Sequence, residues 1–334
     1  MTTMKKDKTP YKILHLLKDG QFHSGEELGS ALHITRSAIW KGIKYLIAHY
    51  DLEIQSISGR GYRIEGGLNL LDRATILNAL KADEREHLQL TVLEQVDSTN
   101  TYLLEATKNS QPDALPFHLV IAEQQTAGRG RRGHQWVSPY GHNIYFSLAW
   151  RCNKDPLELS GLSLAIAIAI IRTLKEFGLT DLTVKWPNDI LFHEHKLAGV
   201  LIDLVAESHG RTTVIIGIGI NTFLTNRAGT PIEQPWVSLH NILDRHVDRN
   251  EIISILTQNV MYIIQLFDAE GLAPLLNEWH EHDAYKGKAV RLFNADNEIH
   301  GIMRGISNQG ELLLEDDRQQ IKRYISGELS MREQ

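Results

Sequence analysis

The sequence predicts a multi-domain α+β protein: a winged helix-turn-helix over residues 1–66, a mixed α/β domain over 67–285 and a small SH3-like β-barrel over 286–334. Three observations predict it. Short helical patterns followed by a glycine-containing hairpin pattern open the chain, helical and strand patterns alternate in the middle, and short strand patterns separated by polar turns close it. The length of 334 residues suits two or three domains.

The composition is that of a globular protein, with 42% apolar and 23% charged residues. The single cysteine, Cys152, excludes an intramolecular disulfide framework and a multi-cysteine zinc finger. The N-terminus carries no apolar segment typical of a secretory signal, and the longest apolar run, Gly161–Ile171, is too short to span a bilayer. We therefore expect a soluble, cytoplasmic protein that makes no membrane contact.

Charge is distributed unevenly along the chain. Residues 1–67 carry 10 Lys and Arg against 7 Asp and Glu, whereas residues 68–334 carry 25 against 34. A basic N-terminal segment followed by an acidic remainder predicts one nucleic-acid-binding module.

Capping signals define the helices of the first domain. An apolar stripe predicts a helix that ends before Asp19, and Ser24 with Glu27 forms a capping box for the next helix. Thr35 caps a third helix, Arg36–Ala48, which is basic and polar on one face. Two short helices joined by a tight turn predict a helix-turn-helix.

A β-hairpin predicted over Glu53–Glu65 makes this domain winged, and its tip places Arg60 between two glycines. An arginine there suits a narrow minor groove or a phosphate. The alternatives are a dimerisation or docking module, and a Trp40 that packs against the first helix. The candidate DNA-binding residues are Arg36, Ser37, Trp40, Lys41, Lys44 and Arg60.

The central and C-terminal segments follow a predicted hinge, Gly66–Asn69. Central strands are predicted over 92–96, 119–122, 143–150, 182–186, 190–192, 196–204 and 213–220. Central helices are predicted from Asp97–Asn100 onward and over 156–177 and 252–267. The barrel strands are predicted over 288–293, 298–306, 311–314 and 321–325, with a last strand that contains Arg332.

The most informative motif is Thr126–Gly133, TAGRGRRG, where three glycines alternate with three arginines. Glycine lets backbone N–H groups approach an anion closely, and arginine supplies cationic forks for carboxylate and phosphate. The motif follows a buried strand and lacks the spacing of a phosphate-binding P-loop. It predicts a lid that orders over an anionic ligand.

Four further motifs carry polar groups at strand or helix ends: DSTN at 97–100, KWPND at 185–189, KLAG at 196–199 and GIGIN at 217–221. Asp189 could supply an oxygen ligand to Mg²⁺, and Lys196 could contact a bound carboxylate. Asn221 could contact a ribose or a phosphate. Each motif alone is equally an ordinary cap, turn or strand end. His193-Glu194-His195 is a poor zinc site at this spacing, and we interpret it as an exposed hairpin tip.

Taken together, DSTN, the glycine–arginine loop, KWPND, KLAG and GIGIN resemble the biotin protein ligases in order and spacing. The winged helix in front, with SGRGY in its hairpin, makes the chain similar to the bifunctional bacterial type, both ligase and biotin operon repressor. The resemblance covers nearly the whole chain. Where family members often have glutamine after Gln125, this chain has Thr126, a change that leaves the expected chemistry intact.

The resemblance implies an ATP-dependent, AMP-forming enzyme that makes biotinyl-5′-adenylate and biotinylates a lysine of the carrier protein of acetyl-CoA carboxylase. It implies ATP and Mg²⁺ as cofactors, with Asp189 near the metal. The implied biotin-site residues are Ser98, Thr99, Asn100, Gln125, Arg129, Gly130, Arg131 and Lys196. The implied nucleotide-site residues are Arg131, Arg132, Trp136, Lys185, Asn188, Asn221 and Arg332. The implied catalytic residues are Lys196, Arg129, Arg131 and Lys185.

The resemblance also implies regulation. The adenylate would act as corepressor, order the arginine loop and favour a homodimer that binds a palindromic operator, and the carrier protein and a second protomer would compete for one surface. Two alternatives remain: a ligand-sensing repressor without ligase activity, and a lipoate or octanoate transferase that shares the central fold.

Overall fold

The computed structural model describes residues 8–108, 116–206, 211–224, 226–229, 231–294, 297–325 and 330–333. In the first domain the helices are α1 Thr9–Leu17, α2 Gly25–Leu32 and α3 Arg36–Tyr50, and the strands are β1 Ile54–Ile57 and β2 Gly61–Ile64. The Ser24–Glu27 capping box and the Thr35 cap are both present. Helix α3 ends two residues later than predicted, where Asp51 adopts a left-handed conformation.

The wing is tied to the helices by backbone hydrogen bonds between His23 and Tyr62, each 2.9 Å long. The core beneath it, which includes Leu14, Ile43 and Leu46, extends to Leu68 and to Tyr140 of the central domain. The predicted hinge therefore packs closely: Gly66 and Gly67 adopt positive φ, and the Leu68 N–H donates to Lys18 O at 2.8 Å.

The central domain is built on one seven-stranded sheet of order β3-β4-β5-β9-β8-β7-β6. Its strands are β3 Leu88–Val96, β4 Phe117–Gln125, β5 Ile144–Cys152, β6 Leu182–Lys185, β7 Asp189–Phe192, β8 His195–Ala206 and β9 Thr212–Ile220. Strands β3 and β4 pair in parallel, and the other neighbours pair antiparallel. Its helices are α4 Arg73–Ala79, α5 Ala82–Glu86, α6 Thr99–Lys108, α7 Leu162–Lys175, α8 Asn226–Gly229, α9 Leu239–Leu243, α10 Arg249–Glu270 and α11 Leu276–Glu281.

The helix predicted over 156–177 is interrupted. A 3₁₀ turn, Pro156–Leu159, is separated from α7 by Gly161, whose φ of 85° cannot continue a right-handed helix. A Cβ on Gly161 would lie 3.2 Å from Gln309 O, so close approach of the C-terminal domain fixes the break.

The apolar runs of the central domain serve its core. Two helical stretches, Pro156–Lys175 (the 3₁₀ turn together with α7) and Arg249–Glu270, are long and apolar enough to cross a membrane by length and composition. However, 67% and 56% of their most apolar parts are buried inside the fold. Both pack on the sheet as core helices. Helix α4, which the sequence analysis missed, is capped by Asp72 through Thr75 N.

The C-terminal domain is a five-stranded antiparallel sheet of order β13-β12-β11-β10-β14. Its strands are β10 Ala289–Asn294, β11 Asn297–Ile306, β12 Leu312–Glu315, β13 Ile321–Tyr324 and β14 Ser330–Glu333. This small antiparallel β domain packs against the central one through Trp186, whose Nε1 donates to Gly310 O at 3.1 Å.

Candidate functional site

A cavity of about 1100 Å³ opens where the ends of β4, β8 and β9 meet the turn between β6 and β7. Residues from all five motifs line it. Of the predicted ligand-site residues, the lining includes Ser98, Thr99, Asn100, Gln125, Arg129, Gly130, Arg131, Arg132, Trp136, Lys185, Asn188, Asp189 and Lys196. The fold therefore brings residues from distant parts of the chain to one place.

One end of the cavity has a buried polar floor. Ser98, Thr99 and Asn100 are each 3% exposed at the start of α6. Gln125 Oε1 accepts from Thr99 N at 2.9 Å and from its hydroxyl at 3.0 Å. A neutral polar ring with paired donors and acceptors would find matching groups here.

Ser147 completes this floor, and the sequence analysis missed it. Its hydroxyl lies 2.6 Å from Thr99 Oγ1 and 2.5 Å from Asn100 Oδ1, and the residue is fully buried. A serine inside the apolar run Ile144–Trp150 of strand β5 was the signal that could have identified it, because buried polar side chains need partners.

The arginine loop lies over the cavity as a compact turn. Gly130 N donates to His134 O at 2.7 Å, and Arg132 sits at positive φ within the 3₁₀ turn Arg131–Gly133. Arg131 donates to Asn188 Oδ1 at 3.3 Å, and burial lowers the pKa of its guanidinium from the usual value. The loop thus carries a partly desolvated cation into the cavity.

The cavity lining also contains a partly buried ion pair. Lys196 Nζ lies 2.7 Å from Asp189 Oδ1, and both side chains are 16% exposed. Lys196 Nζ also lies 5.4 Å from the centre of the Trp136 ring. The Asn188 side chain is held by a 2.7 Å bond from its Nδ2 to Val200 O.

Trp136 packs flat on two strands because glycines leave it room. A Cβ on Gly219 would lie 2.4 Å from Trp136 Cε2, and one on Gly199 would lie 3.4 Å from Cζ3. The indole therefore forms one wall of a slot beside Lys196, which suits the flat face of a purine base.

Two predicted nucleotide-site residues are not among the described residues that line the cavity. Asn221 is 4% exposed and does not line the cavity; its Nδ2 donates to Val237 O at 3.2 Å and to Lys196 O at 3.4 Å. It braces the backbone next to Lys196. Arg332 lies in β14, and its side chain is outside the described part of the structure.

The described residues contain no group of three His, Cys, Asp or Glu side chains that could hold a metal ion. His193-Glu194-His195 is an exposed turn between β7 and β8, as expected, with positive φ at His193 and Glu194. Asp189 presents a carboxylate to the cavity. One such carboxylate together with substrate phosphates is a common Mg²⁺ donor set, so the residues present fit that ion.

The outer face of α3 forms a second candidate site. Arg36, Ser37, Trp40, Lys41 and Lys44 are all exposed there. Trp40 is 51% exposed, so it does not pack against the first helix, and Lys44 Nζ lies 5.8 Å from its ring. Arg60 in the wing stacks over Phe22, with its Cζ 4.2 Å from the ring centre.

The comparisons with known proteins agree with this three-part arrangement. Residues 92–221 match the biotin/lipoate A/B protein ligase family, residues 11–63 an HTH domain and residues 286–332 the biotin protein ligase C terminal domain. Over 98% of its length the chain is 38% identical to the bifunctional ligase/repressor BirA of Escherichia coli (strain K12), of which it covers 99%.

Two further relatives lack part of this length. The chain is 33% identical to a biotin–[acetyl-CoA-carboxylase] ligase of Paracoccus denitrificans, over 67% of this chain and 92% of that protein. A solved biotin protein ligase from Aquifex aeolicus, in complex with biotin and ATP, superposes with a TM-score of 0.62 at 29% identity, covering 74% of this chain and 99% of that one.

Proposed function

The chain belongs to the biotin/lipoate A/B protein ligase family as a biotin–protein ligase with a helix-turn-helix domain, and we propose how its cavity performs that activity. Biotin and ATP bind there and form biotinyl-5′-adenylate. The biotinyl group then passes to a lysine of the biotin carboxyl carrier protein of acetyl-CoA carboxylase. The observation that carries the proposal is the single cavity that joins a buried polar floor to three cationic side chains, Arg129, Arg131 and Lys196.

The two halves of the cavity bind different substrates, biotin in one and ATP in the other. Ser98, Thr99, Asn100 and Gln125 bond the ureido ring, whose donors and acceptors match theirs. Gly130 lets the loop backbone approach the bound acid. The adenine stacks on Trp136, and Lys185, Asn188 and Arg132 contact the phosphates.

The chemistry joins two anions. A carboxylate oxygen of biotin attacks the α-phosphorus of ATP, the bond to the bridging oxygen breaks, and pyrophosphate leaves with the electron pair. Arg129, Arg131 and Lys196 offset the repulsion and the charge that develops in the transition state. In the second step the neutral amine of the carrier lysine attacks the acyl carbon, the bond from that carbon to the phosphate oxygen breaks, and AMP leaves with the electron pair. The new amide nitrogen releases its proton to water.

Mg²⁺ fits the Asp189 carboxylate together with ATP phosphate oxygens, and when bound it neutralises phosphate charge. Asn221 contributes indirectly, because it holds the backbone that carries Lys196. Arg332, in the last strand of the C-terminal domain, is a further nucleotide contact in this proposal. The domain boundaries that we propose are 1–66, 67–285 and 286–334.

The winged helix-turn-helix binds operator DNA, with Arg36, Ser37, Trp40, Lys41 and Lys44 on the recognition helix and Arg60 at the wing. The adenylate acts as corepressor by favouring a homodimer, which places two recognition helices on a palindromic operator. The carrier protein and the second protomer compete for the same surface. The protein acts in the cytoplasm.

The test is mass spectrometry of the purified protein after incubation with Mg-ATP and an equimolar mixture of biotin, lipoate and octanoate. Retained biotinyl-adenylate alone supports the proposal. No adenylate of any acid would indicate a ligand-sensing repressor without ligase activity, and a lipoyl or octanoyl adenylate would overturn the substrate.

A further inference from the structure

Arg129, the first arginine of the loop, has a partner that none of the recognised motifs contains. Its Nη1 and Nη2 lie 3.1 and 3.2 Å from the two carboxylate oxygens of Asp203 on β8. This is a bidentate pair, the geometry in which a guanidinium binds a carboxylate most specifically. The guanidinium proposed to receive the carboxylate of biotin is therefore already occupied by a carboxylate of the protein.

Asp203 also contacts the polar floor. Asn100 Nδ2 donates to Asp203 Oδ2 at 2.9 Å. From Asn100 the hydrogen bonds continue through Ser147 and Thr99 to Gln125. Gln125 Nε2 donates to Ser138 Oγ at 3.1 Å, and that hydroxyl donates to Trp136 O at 2.9 Å.

This hydrogen-bond network begins at Arg129 within the arginine loop and ends at Trp136, which follows the loop. The links between them are Asp203, residues of the proposed ring-binding floor and Ser138. A ligand in the floor therefore contacts groups that are connected by hydrogen bonds both to Arg129 and to Trp136. Asp203 and Arg129 are the two charged residues in this hydrogen-bond network.

We infer that Asp203 is a positioning residue: a built-in carboxylate that holds Arg129 in the ligand-free cavity and competes with the carboxylate of biotin for it. The inference rests on the proposed function of this cavity. When the acid enters, Arg129 exchanges one carboxylate for another, and Asp203 keeps its bond with Asn100 and with it the orientation of the floor. The competition makes loop release conditional on an acidic ligand, because a neutral one cannot take over the guanidinium.

The experiment compares two ligands on Asp203→Asn, which keeps an oxygen for Asn100 and removes the charge. Dissociation constants for biotin and for biotinol, which carries an uncharged alcohol in place of the carboxylate, are measured by calorimetry. We expect biotin to bind about three- to fivefold more tightly to the variant, the size typical of a partly exposed ion pair. Biotinol binding stays within about twofold, since both proteins offer it the same floor.

The matched control is Asp268→Asn, which removes a surface carboxylate paired with Lys154 at 3.8 Å, and it leaves both constants unchanged. Equal shifts for biotin and biotinol on Asp203→Asn would assign Asp203 a purely structural role and overturn the inference. An unchanged biotin constant would overturn it as well.

A ligand-free measurement separates this inference from the proposed function. Limited trypsin digestion, with the first cleavage site mapped by mass spectrometry, reports whether Asp203 holds the loop. We expect faster cleavage after Arg129, Arg131 or Arg132 in Asp203→Asn than in the parent or the Asp268→Asn control. A protein that binds no biotin yet shows this acceleration refutes the proposed substrate and supports the role of Asp203 in holding Arg129. Equal cleavage rates refute that role.

Discussion

Lys196 contacts Asp189 across the space that Gly199 leaves open, and Gly199 pairs with Asp189 between strands β7 and β8. A Cβ on Gly199 would lie 3.2 Å from Lys196 Cε and 3.4 Å from Asp189 Oδ1. The absence of a side chain at one position thus allows the 2.7 Å contact between two others. The Lys196 side chain thus lines the cavity with its ammonium paired to Asp189.

Removing this charge should affect the reaction far more than substrate binding. Lys196→Met keeps the length of the side chain and removes its cation from the developing negative charge. We expect the rate of adenylate formation, followed by pyrophosphate release, to fall about 10²- to 10³-fold with a much smaller change in biotin affinity. Lys322→Met, on the exposed face of the C-terminal domain, is the matched control, and a rate loss explained entirely by weaker binding would contradict the role.

Two alternate glycines of β9 separate the halves of the cavity. A Cβ on Gly217 would lie 2.4 Å from Asn100 Oδ1, whereas one on Gly219 would lie 2.4 Å from Trp136 Cε2. Gly217→Ala should therefore raise the KM for biotin, and Gly219→Ala the KM for ATP, each about tenfold or more because buried neighbours must shift. Steady-state kinetics with each substrate varied in turn gives the two KM values. A rise in the same KM in both variants would show that the halves of the cavity are not separate.

A buried ion pair joins helix α10 to strand β4 of the central sheet. Arg249 Nη2 lies 2.6 Å from Glu123 Oε2, with exposed side-chain fractions of 2% and 4%, and Glu123 Oε1 accepts from Leu71 N at 2.6 Å. Glu123→Gln leaves the Arg249 charge buried without its counter-charge, which should cost about 3–5 kcal/mol and lower Tm clearly in thermal melts. Glu315→Gln breaks the exposed pair with Arg304 and serves as control; similar Tm losses in both would contradict the prediction.

The protein should lose stability on mild acidification. Burial lowers the pKa of His142 to about 4, and the charges of Arg249 and His246 act in the same direction. The unfolded chain binds the proton at about pH 6.5, so this stabilisation is complete above that value and is lost as the pH falls toward 4. The expected loss at pH 5 is about 2 kcal/mol.

Urea unfolding at pH 7.5 and pH 5.0 measures this loss. His142→Phe keeps an aromatic ring against Phe223, whose centre lies 5.1 Å from that of His142, and cannot titrate. The variant should show a shallower pH dependence than the parent. An identical pH dependence in both proteins would assign the acid sensitivity to other groups.

The outer face of α3 should make phosphate contacts. Replacing Lys41 and Lys44 by alanine should weaken binding to duplex DNA and reduce the slope of log affinity against log salt by about 2, one unit for each lost contact. Fluorescence anisotropy at several salt concentrations gives the slope. The same double replacement at Lys154 and Lys322, in the acidic region 68–334, is the control. An unchanged salt slope in the α3 variant would show that the nucleic acid binds elsewhere.

Much of the fold was accessible from the sequence because the signals that specify it act over a few residues. The Ser24–Glu27 capping box and the Thr35 cap each depend on neighbours within one helical turn. The glycine–arginine loop was recognisable for the same reason, since its spacing alone indicates close approach to an anion.

The tertiary structure decided what depends on residues far apart along the chain. The break before α7 follows from Gly161 meeting Gln309, and Asn221 turns toward Val237 rather than the cavity. Asp203 pairs with Arg129 across 74 positions. Strand register, which no local pattern specifies between distant segments, places these side chains opposite each other. The sequence by itself therefore determined which chemical groups this protein carries, and the packing of β4, β5, β8 and β9 decided which of them meet, because contact across a sheet requires register as well as residue type.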